Sequence, residues 1–166
     1  MKSRLALGGY FRSWWFDKHG RLVSYDRTPT HNLIVNEAFD PVLDYIVHGA
    51  TQVDPWYVGL KSTGAVDATD TLATPINWTE ITDYTGDRKE YDEAAASGGS
   101  IDNSASPATF VFDGVTTIYG AFLCSVSTGT AGIILAVGDF SSAKGPVGIG
   151  DYLYVTYTLT IADDGV

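Results

Sequence analysis

The segment from residue 151 to residue 161 (DYLYVTYTLTI) alternates between two kinds of side chain with a period of two residues. The apolar set consists of Leu153, Val155, Tyr157, Leu159 and Ile161. Side chains of a strand point alternately to the two faces of a sheet, so this pattern predicts a long strand with one face in a core. The other face carries Tyr152, Tyr154 and threonines, and is unusually aromatic for a surface that contacts only solvent.

Other strand-like segments recur roughly every ten residues. They are residues 9–16, 21–25, 56–60, 109–112, 115–127 and 132–139. About seven to nine short strands joined by glycine-containing turns predict a mainly-β fold, an antiparallel β-sandwich of jelly-roll-like type. The pair Asp113-Gly114 between two of these segments predicts a hairpin turn.

The N-terminal region predicts a second hairpin. Residues 9–16 and 21–25 flank Asp17-Lys18-His19-Gly20, which is typical of a tight turn. Trp14 and Trp15 are adjacent in the first of these strands, so they must point to opposite faces. Both cannot lie in one core, and we expect one of them to contact another layer or another protein.

One short helix is predicted at about residues 36–48. Apolar residues recur there at spacings of three and four, which places them on one stripe of an amphipathic helix. They are Val35, Phe39, Val42, Leu43, Ile46 and Val47. Pro41 suits the first helical position, so Asp40 is the expected N-cap, and Gly49 is expected to end the helix. Residues 62–74 and 94–107 are small and polar, and predict two long loops.

Charged residues are unevenly distributed along the chain. Residues 1–27 hold six of the ten basic residues and two of the twenty acidic ones, a net charge of +4 in a chain whose total is -10. We therefore expect residues 1–27 to form a basic segment that contacts a partner, and residues 28–166 to form a single sandwich domain. The acidic total argues against nucleic acid as that partner, because phosphate backbones are bound by basic surfaces. No stretch approaches the ~18 apolar residues of a membrane-spanning helix, and we expect no signal peptide.

The sequence shows no constellation of catalytic or metal-binding residues. The histidines, His19, His31 and His48, have no ligand-type residue at metal spacing, so neither a metal nor a cofactor is expected. Cys124 lies among apolar residues of a predicted strand, where a free cysteine behaves as a small buried hydrophobe. The carboxylates of residues 87–93 leave a small hydrolase open, but we expect no enzyme, because no residue set supports one.

Exposed aromatic and basic side chains are therefore the best candidates for function, since aromatic residues and arginine are enriched in protein interfaces. The candidate interface residues are Arg4, Tyr10, Arg12, Trp14, Trp15, Arg21, Tyr152 and Tyr154.

Several stretches together carry a resemblance to a known group of proteins. In the first half they are residues 17–20 (DKHG), 32–36 (NLIVN), His48-Gly49, 56–60 (WYVGL), 70–72 (DTL) and 78–80 (WTE). In the second half they are residues 118–123 (IYGAFL), Phe140-Ser141 and 150–158 (GDYLYVTYT). Over most of its length the chain resembles the small virion proteins of tailed bacteriophages. None of these stretches has catalytic content.

The resemblance implies a virion structural protein of the capsid decoration, or cement, type. It implies the major capsid protein and neighbouring copies of the chain as partners, and a place on the capsid surface after synthesis in the bacterial cytoplasm. A homotrimer would fit local three-fold positions of a shell, and a monomer is equally compatible. The alternative is a tail, neck or fibre-associated virion protein that binds host glycans through its aromatic residues.

Overall fold

The structure is a computed structural model that describes residues 5–163, and it consists of two antiparallel sheets with one helical segment. In chain order the strands are β1 (Leu5–Phe16), β2 (Leu22–Tyr25), β3 (Thr30–His31), β4 (Leu33–Ile34), β5 (Tyr57–Lys61), β6 (Glu80–Ile81), β7 (Lys89–Glu90), β8 (Ser100–Asp102), β9 (Ala108–Val111), β10 (Thr116–Cys124), β11 (Ile134–Val147) and β12 (Tyr152–Asp163). The predicted antiparallel β-sandwich with one short helical region is confirmed.

Sheet 1 is built around the longest strand pair of the molecule. Its order is β2-β1-β12-β8, with β3 also beside β1 and β9 also beside β12. Strands β1 and β12 pair along their whole length, from Leu5 opposite Asp163 to Phe16 opposite Tyr152. The N-terminal hairpin β1–β2 is present, with Gly20 N–H donating to the Asp17 carbonyl at 2.8 Å. Residues 5–25 are thus part of the sandwich itself, since β1 lies between β2 and β12.

Sheet 2 has the order β4-β11-β10-β5-β6, with β7 also beside β5. The hairpin predicted around Asp113-Gly114 is wrong. Strand β9 pairs with β12 in sheet 1, whereas β10 pairs with β5 and β11 in sheet 2. The turn therefore carries the chain from one sheet to the other, because β9 and β10 pair with other strands and not with each other.

The main core lies between the two sheets. Phe11, Leu153, Val155 and Tyr157 enter it from sheet 1, and Val58, Leu60, Ala121 and Leu123 enter it from sheet 2. All eight side chains are at most 2% exposed. The alternation of β12 places its apolar set here as predicted, except that Ile161 at the strand end is exposed.

A buried ion pair joins the sheets beside this core. Lys144 Nζ on β11 lies 2.9 Å from Asp26 Oδ1, just after β2, and both side chains are fully buried. The Asp26 carboxylate also accepts hydrogen bonds from Ser13 and Ser141. Burial alone would raise the pKa of Asp26, but these hydrogen bonds and the Lys144 charge outweigh it and hold the pKa below its ordinary value.

The helical segment differs from the regular helix predicted at residues 36–48. It comprises a 3-10 turn (Asn36–Ala38), the α-helical turn α1 (Phe39–Leu43) and a π-helical turn (Asp44–His48), and it ends at Gly49 with φ 75°. Asp40 is inside α1 and is not an N-cap. The predicted apolar stripe is only partly buried, since Val35 is buried and Val42 packs against the core. Phe39, Leu43, Ile46 and Val47 are 50–80% exposed.

The outer side of sheet 2 is covered by the long loop between β5 and β6. Val66, Leu72 and Trp78 of this loop pack against Phe122 and Val137 of the sheet. The Trp78 and Phe122 rings lie 5.3 Å apart. Most of the predicted loop 62–74 is therefore an ordered layer of the fold, and it forms a second apolar cluster.

Candidate functional site: an aromatic sheet face

Alternate residues of β1 and β12 form a half-buried aromatic surface on the outer side of sheet 1. Tyr10, Arg12, Trp14 and Phe16 point away from the core, because the alternate residue Phe11 is buried in it. Their partners on β12 are Thr158, Thr156, Tyr154 and Tyr152. Strand β2 adds Tyr25 opposite Trp14. We call Tyr10, Arg12, Trp14, Phe16, Tyr25, Tyr152 and Tyr154 the outer aromatic face.

The rings of this face support one another. Phe16 and Tyr152 are stacked, with centroids 5.1 Å apart and an interplanar angle of 8°. Tyr154 lies 5.3 Å from Phe16 and 5.4 Å from Tyr152. Such aromatic contacts across paired strands stabilise a sheet and restrict the side-chain rotamers. These contacts therefore limit the freedom of the Phe16, Tyr152 and Tyr154 rings.

Two arginines give the outer aromatic face a positive charge. The Arg12 guanidinium lies 5.5 Å from the Tyr10 ring centroid, and that of Arg27 lies 5.8 Å from the Tyr25 centroid. Among residues 5–163 neither guanidinium forms an ion pair, and the buried Arg12 Nε has no hydrogen-bond partner. An unpaired cation in a chain of net charge -10 is a natural contact for an acidic or carbonyl-rich partner.

The structure brings five of the eight predicted interface residues together on the outer aromatic face. These five are Tyr10, Arg12, Trp14, Tyr152 and Tyr154. Sequence reasoning missed Phe16, Tyr25 and Arg27. The period of two in β1 and the hairpin register could have identified Phe16 and Tyr25, whereas Arg27 lies beyond the end of β2.

Of the other three predicted residues, the two that the structure describes lie elsewhere. Trp15 is on the inner side of sheet 1, where it packs against the core and its Nε1–H donates to Asp151 Oδ2 at 3.2 Å. Arg21 is in the hairpin turn and forms an ion pair with Asp17 at 2.6 Å. The backbone N–H and the guanidinium of Arg21 lower the pKa of Asp17 to about 2. Arg4 is outside the described residues.

Cys124 and Arg88 both make contacts within the fold. Cys124 is fully buried, and burial raises the pKa of its thiol to about 11. Within the predicted acidic cluster, Arg88 forms a two-point ion pair with Glu80, with both contacts at 2.7 Å. Residues 5–163 contain no group of three or more metal-ligating side chains. Over the same range no helix is long and apolar enough to cross a bilayer.

A second exposed surface lies on the helical segment. Leu7, Phe39, Val42 and Leu43 line an apolar cleft of about 330 Å³. Ile46 and Val47 of the same helical segment are 66% and 80% exposed. The molecule thus presents two separate surfaces with the composition of protein contacts.

No protein-family model matches the sequence, and no curated protein is significantly similar to it.

Proposed function

We propose that this protein is a bacteriophage virion structural protein that decorates the capsid shell and stabilises it by binding the major capsid protein. The outer aromatic face carries the proposal, because it joins fixed aromatic rings to two unpaired arginines on an otherwise acidic protein. The resemblance of the chain to small virion proteins of tailed bacteriophages supports the same role. The role requires no catalytic residue and no cofactor.

The shell would be stabilised by mass action. A protein that binds the assembled shell and not its separated subunits shifts the equilibrium toward the shell. Tyr and Trp rings supply large contact areas with little loss of rotamer entropy, and Arg12 and Arg27 supply charged hydrogen bonds. Because a shell offers many equivalent sites, contacts between neighbouring copies through the apolar helical surface would add avidity.

A tail, neck or fibre-associated role with glycan binding is the second candidate. The stacked pair Phe16 and Tyr152 favours it, because flat aromatic rings can pack against the apolar face of a sugar. The arginines distinguish the two candidates, since a neutral glycan gives them no counter-charge.

Copy number tests the proposal. We would measure the ratio of this chain to the major capsid protein in purified particles by quantitative mass spectrometry. Shell decoration predicts a simple ratio that amounts to hundreds of copies per particle. A handful of copies would favour the tail or neck instead, and absence of the chain from particles would contradict both candidates.

A further inference from the structure

Strand β1 has an open hydrogen-bonding edge at its N-terminal end. Along residues 5–8 it pairs with β12 on one side, and no strand within residues 5–163 pairs with it on the other side. On that other side the first contact is at Gly9, whose carbonyl accepts from Asn32 N–H at 3.0 Å. Backbone groups alternate between the two sides of a strand, so Leu5 and Leu7, like Gly9, direct N–H and C=O away from β12. The edge therefore has room for one further strand.

Apolar side chains lie beside this edge. Leu5 is 78% exposed. Leu7 lines the apolar cleft together with Phe39, Val42 and Leu43 of the helical segment. Leu5 and Leu7 share one face of β1, because they are two residues apart. A strand added at the edge would thus gain backbone hydrogen bonds and place side chains next to an apolar cleft, which is how extended segments bind to sheet edges.

The edge is complementary to a second copy of itself. The sequence Leu5-Ala6-Leu7 is the same in both directions. Two copies in antiparallel register, with Ala6 opposite Ala6, place Leu5 of each copy opposite Leu7 of the other, and both of these pairs exchange backbone hydrogen bonds. Opposite side chains share a face, so Leu5 of one copy lies beside the cleft that Leu7 of the other copy lines. Pairing stops before Gly9, whose carbonyl already accepts from Asn32.

Charge complementarity favours a second copy as the occupant. The residues before Leu5 include Lys2 and Arg4 and no acidic residue, whereas the helical segment has three acidic residues and neither lysine nor arginine. Two of these acidic residues, Asp40 and Asp44, are exposed and form no ion pair within the described chain. In the antiparallel register the residues before Leu5 of each copy run along the other copy, past its cleft. Each basic end therefore approaches an acidic segment of the other copy.

We infer that the open edge of β1 binds a second copy of this chain, so that residues 5–7 of the two copies pair as antiparallel strands about a two-fold axis at Ala6. Two-fold pairing is the commonest symmetry of homo-oligomers, and it uses this edge in both copies, so the pairing ends at a dimer. The edge lies at the opposite end of β1 from Trp14 and Phe16, so these rings stay accessible. The inference goes beyond the proposed function and does not depend on it.

The mass of the purified protein in solution tests the dimer. Light scattering after size exclusion should show the wild-type mass rising toward twice that of the chain as the concentration increases to about 0.5 mM. Leu5→Glu places a charge at the edge and near the acidic helical segment, so it should raise the dissociation constant at least about tenfold. The matched control is Val115→Glu, since Val115 is 70% exposed and precedes β10, far from this edge. It should dimerise like the wild type.

Cysteine cross-linking tests the register. Ala6 of the two copies would form a non-hydrogen-bonded pair with Cα atoms ~4.5 Å apart, a separation that a disulfide spans. Ala6→Cys should therefore give a disulfide-linked dimer on mild oxidation, and adding Leu5→Glu should slow its formation at least about tenfold. Val115→Cys is the control for random collision and should stay largely monomeric. The native Cys124 is fully buried, so the wild type reports the background.

Three results would overturn the inference. The wild type could remain a monomer up to about 0.5 mM, Leu5→Glu with an unchanged far-UV circular dichroism spectrum could dimerise like the wild type, or Ala6→Cys could cross-link no faster than Val115→Cys. The first result would leave the edge to another occupant, such as residues 1–4 of the same chain or an extended segment of the coat protein. The copy number in particles does not depend on any of these results, so the proposed function is tested separately.

Discussion

The outer sides of the two sheets are both rich in aromatic and apolar residues, but only one of them is covered. On sheet 2 the loop between β5 and β6 places Trp78 and Leu72 over Phe122, and all three side chains are at most 4% exposed. On sheet 1 no comparable layer within residues 5–163 covers the rings: Tyr25 is 41% exposed and the other rings are half-buried. The described part of the chain thus covers the apolar face of sheet 2 and leaves that of sheet 1 partly open.

Hydrogen bonds to the Asp70 carboxylate hold the loop between β5 and β6 in place. Asp70 is fully buried, and its carboxylate accepts hydrogen bonds from Trp78 Nε1–H at 2.9 Å and from the backbone N–H groups of Asp67 and Ile76. Glu37 ties the same loop to β11, since its carboxylate accepts from Leu72 N–H and Ile134 N–H. These contacts make the cover of sheet 2 a fixed part of the fold, whereas the outer aromatic face has no such cover within the described chain.

The largest expected effect comes from removing the ion pair on which both sheets depend. Asp26→Ala leaves Lys144 buried without its counter-charge, so the free energy of unfolding should fall by about 3–5 kcal/mol. Urea unfolding followed by circular dichroism measures this. The control Asp92→Ala removes an exposed carboxylate and should change stability by less than about 0.5 kcal/mol.

The double variant Asp26→Ala/Lys144→Met sharpens this prediction. It should recover a large part of the loss, because it removes the stranded charge as well as its partner. A double variant as unstable as Asp26→Ala would contradict the electrostatic explanation and would favour lost packing instead.

The pH dependence of stability provides an independent check on Asp26. Its pKa is lowered in the folded protein, so its contribution is present above the unfolded value of ~3.9 and is lost as pH falls through the lower folded value. Wild-type stability should therefore decline below about pH 4 more steeply than that of the double variant. Parallel curves for the two proteins would show that Asp26 does not titrate in this way.

Breaking the cover of sheet 2 should cost nearly as much as breaking the ion pair. Trp78→Ala removes a ring that is 4% exposed and packs on Phe122, so we expect a loss of about 3–5 kcal/mol in the free energy of unfolding. Trp14→Ala is the matched variant on the outer aromatic face and should cost about 1 kcal/mol, the scale of a cross-strand pair. Equal losses in urea unfolding would contradict the distinction between a covered and an open face.

A smaller effect is expected from the residue that shapes the loop. Asp70→Asn keeps the size of the side chain, but replaces one acceptor oxygen with an amide group that cannot accept a hydrogen bond, so stability should fall by about 1–3 kcal/mol. The tryptophan emission spectrum should also change, because the loop around Trp78 becomes less ordered. Asp87→Asn, an exposed site, is the control and should leave both signals unchanged.

Features that depend on local pattern could be predicted from the sequence. The period of two in residues 151–161 identifies β12 and its buried side, and the Asp17–Gly20 turn identifies the β1–β2 hairpin. The same period of two predicts that Tyr152 and Tyr154 share a face of β12, but only the pairing of β1 with β12 brings Tyr10, Arg12 and Trp14 onto the same surface.

Features that depend on contacts between distant parts of the chain could not be predicted from the sequence. Strands β9 and β10 look like a hairpin locally, but they join different sheets because β12 and β5 pair with them instead. Residues 62–74 have a small and polar composition, and the role of this loop depends on a buried Asp70 that meets Trp78 only after the chain folds. Trp15 was expected at the interface because alternation alone does not tell which of two adjacent tryptophans points inward.

The central claim is that the outer aromatic face binds the capsid shell, and co-sedimentation of purified protein with shells that lack it tests this most directly. The double variant Trp14→Ala/Tyr154→Ala should keep its far-UV circular dichroism and lose at least about tenfold in shell affinity, since central aromatic residues dominate such interfaces. The control Leu43→Ser/Val47→Ser alters the apolar helical surface instead and should still sediment with shells at high protein concentration. Wild-type shell binding by a folded Trp14→Ala/Tyr154→Ala variant would contradict the claim.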